Sequence, residues 1–148
     1  ATTKHAAFAM AFTGQGAAYA GMGKRLYESL PAFRRYYDEC AAHIAPHLGG
    51  REKLDRLVLG KDDDATNSSK DDDALECLDD LAVSQPALFA LEYALAKAVA
   101  TYAGVEPVAV VGHSLGEIAA MAVAGVLSVK VAAALVCGRG AAMATLAQ

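Results

Sequence analysis

Two short, uninterrupted apolar stretches punctuate a chain whose other apolar positions recur at helical spacing. Residues 6–12, AAFAMAF, are apolar throughout and stop at Gly14 and Gly16, which predicts a buried strand. Residues 107–111, PVAVV, repeat the pattern ahead of Gly112 and predict a second. A helix is expected around residues 23–29. Pro31 suits a first helical position, where its missing N–H costs nothing, and opens another helix to about residue 45. Pro46 and Gly49-Gly50 are expected to end it. Ser84-Gln85-Pro86 predicts the clearest helix, with Ser84 as N-cap and Pro86 in the first turn, running to residue 103 before Gly104. After the second strand, GHSLGE turns the chain into a helix ending near Gly125. Ser128 then caps a last helix that runs to residue 148.

Strands separated by helices predict an α/β fold with parallel strands flanked by helices. At 148 residues, with no internal repeat, the chain reads as one domain. Apolar residues form 55% of it, much of this alanine, which suits closely packed helices over a sheet. Residues 61–73, KDDDATNSSKDDD, break the pattern. They lack the alternating ligands, central glycine and terminal glutamate of a calcium loop, and read as a solvated acidic insertion.

Charge and cysteines narrow the function classes. The net charge is −4 without a basic patch, so no nucleic-acid partner is expected. Cys40, Cys77 and Cys137 are odd in number and never form a CxxC pair. This fits a reduced, cytoplasmic protein without a zinc site. The apolar run near the N-terminus is too short to span a membrane and lacks the flanks of a signal peptide, so no membrane partner is expected.

The chemistry concentrates at Gly112-His113-Ser114-Leu115-Gly116. This G-x-S-x-G sits between an apolar strand and an alanine-rich helix, as a nucleophile elbow requires. Ser114 would then stand at a helix N-terminus, where free N–H groups favour developing negative charge. The alternative is a serine that only caps a helix. A hydroxyl nucleophile needs a base, yet the histidines are His5, His43, His47 and His113. None follows Ser114, so the Ser-acid-His order of an α/β-hydrolase is absent. His113 adjoins the serine, and neighbours in a tight elbow point apart. His43 and His47 share one helix face and read as surface or cap residues.

Arg139 lies in the uncharged run VAAALVCGRGAAMATLA. At helical spacing its neighbours are Leu135, Val136, Met143 and Leu146, so it shares an apolar face. A guanidinium there requires an anion, a core carboxylate or an escape to water.

Taken in order, FTGQG with GMG, SQPALFALEYALA, GVEPVAVVGHSLGEIAA, AGVLS and GRGAAM resemble the N-terminal half of the malonyl-CoA:acyl-carrier-protein transacylases, the acyltransferase domains of fatty-acid and polyketide synthases. The resemblance covers nearly the whole chain outside the acidic insertion. It implies part of a hydrolase-like large subdomain, with the small ferredoxin-like subdomain and the catalytic histidine lying beyond residue 148. It implies ping-pong transfer of a malonyl group from coenzyme A through Ser114 to the phosphopantetheine thiol of an acyl carrier protein. Acyl-CoA is then a substrate, no cofactor is tightly bound, and other synthase domains are partners.

By the same resemblance the oxyanion hole falls to the backbone N–H groups of Gln15 and Leu115. Arg139 holds the malonyl carboxylate, and Gln85, His113 and Met143 line the substrate site. Leu115 stands where members using methylmalonyl units often carry glutamine, which leans the substrate toward malonyl. GQGAA departs from the family's more frequent Ser-Gln at this loop. Two alternatives remain: a serine hydrolase with a patatin-like Ser/Asp dyad, which would not need Arg139, and a non-catalytic synthase domain.

Overall fold

The computed structural model describes residues 7–60 and 70–146. The elements follow in the order β1 (Ala9–Phe12), α1 (Lys24–Ser29), α2 (Pro31–Leu48), α3 (Glu52–Leu59), α4 (Lys70–Asp79), α5 (Leu81–Ala103), β2 (Ala109–Gly112), α6 (Leu115–Val123) and α7 (Val129–Leu146). His5, Ala6 and most of the acidic insertion (61–69) lie outside the described residues. Residues 70–73, assigned above to that insertion, instead open α4.

β1 and β2 pair in parallel with Ala9 opposite Ala109 and Phe12 opposite Gly112. The register brings both strands to an end at one level, so the loop after β1 and the turn after β2 emerge side by side. The strands are less buried than their composition predicts. Ala9, Ala11, Ala109 and Val111 are exposed, while Phe12 is buried and Met10 and Val110 are half-buried. Period-two alternation sends successive side chains to opposite faces, and α6 packs against both strands. Continuous apolar strands are usual where both faces are covered; among the described residues the other face is open.

The core lies among α2, α5, α6 and α7. Phe33, Tyr37, Ile44, Phe89, Ala94, Leu115 and Val136 have no exposed surface, and each large apolar side chain so buried contributes about 1.5–3 kcal/mol. α7 is long and apolar enough to cross a membrane by length and composition alone. One side of it packs against α2, α5 and α6, burying Ala132, Ala133, Val136 and Cys137, while Val131, Leu135 and Leu146 are exposed.

α3, which the sequence reading passed over, buries Leu54, Leu57, Val58 and Leu59. A polar cluster ties it to α2: Tyr37 Oη donates to Asp55 at 2.9 Å, and Arg51 bridges Asp55 and Asp38 at 2.9 Å each. The three cysteines are buried and free. Burial pushes the Cys137 thiol up to about 11 and raises Cys40 and Cys77 as well, so all three stay protonated and inert at neutral pH.

Two predicted boundaries move. α5 begins at Leu81, capped by Asp80, whose side chain accepts from the Ala82 N–H at 2.9 Å. Ser84 is therefore a buried residue inside the helix, and Pro86 lies in its second turn. The lost bond from Pro86 is outweighed by a helix whose residues 83–90 are all buried. Likewise α2 passes Pro46 and stops at Leu48, where Gly49 takes a left-handed conformation. The Ser128 cap is as expected, accepting from the Val131 N–H at 3.3 Å.

Candidate active site

Ser114 occupies the N-cap position of α6 with φ 57° and ψ −112°. It is the only non-glycine residue with positive φ among those described. Such a conformation costs about 1–3 kcal/mol and persists only where the surroundings impose it. Here two glycines impose it. A Cβ on Gly112 would lie 2.1 Å from the carbonyl group of Gly116, and one on Gly116 would lie 2.5 Å from the Phe12 carbonyl oxygen. Only glycine lets the strand end, the helix start and the end of β1 approach this closely. The first turn of α6 closes through Gly116 N–H to the His113 carbonyl (3.0 Å) and Glu117 N–H to the Ser114 carbonyl (3.1 Å). The Leu115 N–H meets no acceptor among the described residues, as the first N–H of a helix ordinarily does not.

Around Ser114 a continuous hydrogen-bonded chain forms from three separate elements. Arg139 Nη2 of α7 donates to Ser114 Oγ at 2.8 Å, and its Nη1 donates to Gln85 Oε1 of α5. Gln85 Nε2 donates in turn to Gln15 Oε1 in the loop after β1, at 3.2 Å, and to Met143 Sδ at 3.3 Å. Gln85 is 1% exposed, and this network uses both ends of its amide. A buried amide is costly without hydrogen-bond partners, and here both ends have them.

Five of the seven residues singled out from sequence thus join in one network: Gln15, Gln85, Ser114, Arg139 and Met143. Leu115 adjoins it through its backbone. His113 stands apart: its Nδ1 lies over Gly14, 2.9 Å from where a Cβ there would be, and no hydrogen bond joins it to Ser114 among the described residues. His43 and His47 sit on α2, half-buried and exposed. No described histidine is therefore hydrogen-bonded to the serine.

The surroundings of Arg139 differ from the uniform apolar face expected. Val136 is buried and Met143 half-buried, but Leu135 and Leu146 are 47% and 86% exposed. Arg139 borders the core instead of sitting within it. No carboxylate pairs with it among the described residues. It presents a cation beside the serine hydroxyl, with only neutral groups as partners.

Sequence reasoning missed Glu92. The Thr13 N–H and the Thr13 hydroxyl both donate to Glu92 Oε1, each at 2.7 Å. The second oxygen, Oε2, is buried without a partner. Burial pushes the carboxyl above its ordinary range, while the bonds from Thr13 oppose the shift. A signal was present: Glu92 is a lone carboxylate in an apolar helix, seven residues after Gln85 and so on the same face.

A parallel strand, a strained serine and a helix N-terminus carrying a free N–H define the nucleophile-elbow class of α/β proteins. The profile of the acyl transferase domain matches residues 10–148, and the chain belongs to that family. It is 43% identical over 139 residues to polyketide synthase GfsE of Streptomyces halstedii, covering 94% of this chain and 3% of that protein. The acyl transferase domain of ZmaA superposes with a TM-score of 0.80 at 33% identity, over 97% of this chain and 31% of that one. A malonyl-transacylase solved with a type II polyketide acyl-carrier protein, PlMCAT:AntF, gives a TM-score of 0.68 at 31% identity, over 91% of this chain and 38% of that one. The chain thus spans a small part of its curated relatives and about a third of the solved domains.

Proposed function

We propose that this chain is the serine-bearing part of a malonyl-selective acyltransferase domain, the N-terminal portion of its large subdomain, working inside a cytoplasmic multidomain synthase. The observation that carries this reading is Arg139 Nη2 at 2.8 Å from Ser114 Oγ. A malonyl ester on Oγ has its free carboxylate only a few bonds from that oxygen. The guanidinium therefore stands within reach of it, with two donors in the fork geometry that suits a carboxylate. A neutral acyl group would leave this cation without an anionic partner.

The chemistry is a double displacement. Ser114 Oγ attacks the thioester carbonyl of an acyl-CoA, its proton passes to a base, and coenzyme A leaves as the thiol. The phosphopantetheine thiol of an acyl carrier protein then attacks the serine ester, and Ser114 regains its proton. Both tetrahedral intermediates carry an oxyanion, which we assign to the N–H groups of Leu115 and Gln15; one such donor typically contributes about 10²–10³ in rate. Gln85 orients Arg139 and is itself held by Met143, and His113 flanks the site over Gly14. The base is assigned to the remainder of the domain. No tightly bound cofactor enters any step. Leu115 is wholly buried, so its backbone serves the site and selectivity is argued from Arg139. The PlMCAT:AntF complex supports a carrier protein as acceptor.

The test is selectivity. In the complete domain, Arg139→Ala should weaken malonyl transfer by about 1.5–3 kcal/mol, as for loss of a hydrogen bond to a charged group, and leave acetyl transfer nearly unchanged. Equal losses for the two substrates would assign Arg139 to folding and remove the argument for malonyl.

A further inference from the structure

Two carbonyls, one carboxylate and two donors from a single threonine meet at the end of β1. The Phe12 and Thr13 carbonyl oxygens press against Gly116 at the start of α6, where an added Cβ would lie 2.5 and 2.6 Å from them. From the other side Glu92 Oε1 receives both the N–H and the hydroxyl of Thr13. Thr13 is thereby held between the helix that carries Ser114 and the helix that carries Gln85. Two residues on, the Gln15 side chain accepts from Gln85. Gln85 and Glu92, seven positions apart on one face of α5, hold the loop at two points on either side of Gly14.

Packing alone gives no reason for a carboxylate at position 92. Glu92 lines a groove of about 440 Å³ with Phe8, Leu88, Leu91 and Leu95, an apolar setting in which a leucine would bury more surface. Its Oε2 has no partner, and an unsatisfied buried oxygen is destabilising. Its gain is the doubled bond to Thr13. The raised carboxyl pKa does not remove that bond, because Oε1 accepts in either protonation state, more strongly as the carboxylate.

We propose that Glu92 is a positioning residue: through Thr13 it fixes the loop after β1 so that the Gln15 N–H is aimed at the same point as the Leu115 N–H. This rests on the oxyanion assignment made above. Glu92 touches neither substrate nor Ser114; it acts by holding a donor that would otherwise move with an exposed glycine loop. A preorganised donor acts in the transition state and little in the ground state, so its loss falls on the chemical step.

The experiment measures single-turnover acylation of the complete domain by malonyl-CoA. Glu92→Ala should lower the acylation rate constant about tenfold or more, with the apparent affinity for malonyl-CoA within about twofold of the parent. Glu92→Gln, which keeps one acceptor oxygen, should recover most of the rate. Thr13→Val, which keeps only the N–H bond, should fall between, and Thr13→Ser should match the parent. An unchanged rate in Glu92→Ala overturns the proposal, as does a loss in Glu92→Gln equal to that in Glu92→Ala, or a fall in affinity that tracks the fall in rate. If Glu92→Ala does not fold, the Thr13 pair decides: equal rates for Val and Ser overturn it. Ser114→Ala run alongside separates the two levels. A persistent adduct there removes the function proposed above, whereas a lost adduct with a silent Glu92→Ala removes only the positioning role.

Discussion

The two strand ends reach the site at the same level but are built in opposite ways. After β2 the chain turns at once into α6, and the turn is enforced by backbone alone. Gly112 meets Gly116, Gly116 meets Phe12 and Thr13, and Ser114 is driven to φ 57°. After β1 no helix follows until Lys24. Thr13 to Ala17 are mostly exposed, and what orders them is side chains on a neighbouring helix, Glu92 and Gln85. One strand end is set by close packing, the other by tethers. The first tolerates no added atom; the second has open space at Gly16 but none at Gly14 beneath His113, and it depends on distant hydrogen bonds.

Ser114→Ala offers the largest effect on chemistry: acyl-enzyme formation should vanish while the far-ultraviolet spectrum and melting temperature stay close to the parent, because the glycine packing still imposes the same backbone conformation. Gly116→Ala should break the packed end. Its methyl would meet two carbonyl oxygens at 2.5 and 2.6 Å, so the backbone must shift, at about 1–3 kcal/mol or more in chemical denaturation. Gly16→Ala sharpens the contrast. Position 16 has φ 104° with nothing within 4 Å, so only conformational strain opposes the methyl, about 1–2 kcal/mol, and the elbow should be untouched.

Gln85→Leu tests the tethered end. It removes the acceptor of Arg139 and the donor to Gln15 together. Hydrogen bonds to charged groups contribute about 1.5–3 kcal/mol, so malonyl acylation should fall about tenfold or more, with acetyl transfer affected less. The smallest effect is a pH dependence. Glu92 has a raised pKa in the folded state, so the folded chain binds more protons than the unfolded one between the two pKa values. Stability should therefore decline as pH rises through that window. Urea unfolding across it should show Glu92→Gln gaining on the parent toward neutral pH, and the difference closing below the ordinary carboxylate range.

The packed end was legible in the sequence because its constraint is local: five residues, two of them glycine, between a strand pattern and a helix pattern. Arg139 was also legible, as a charged residue in an apolar helix, and Gln85 through the family resemblance alone, but their partners were not. The tethered end was not, since Thr13 and Glu92 are 79 positions apart and their meeting depends on how α5 crosses β1. Helix starts failed where several caps competed. Asp79, Asp80 and Ser84 all qualify as N-caps, and the burial of residues 83–90, a tertiary fact, selects Asp80. α3 carried its own signal in Leu54, Leu57 and Val58, spaced i, i+3, i+4, and its brevity hid it. The open face of the sheet could not be read at all, because an apolar strand looks the same whether one face or both are covered.

In the proposed function Ser114 carries the acyl group and Arg139 selects it. The most direct measurement is peptide mapping by mass spectrometry of the complete domain after exposure to malonyl-CoA, then to a carrier protein bearing its phosphopantetheine thiol. A malonyl adduct is expected on the peptide containing Ser114, discharged by the carrier protein and greatly reduced in Arg139→Ala. An adduct on another residue, or one on Ser114 that forms equally well without Arg139, would contradict the proposed function.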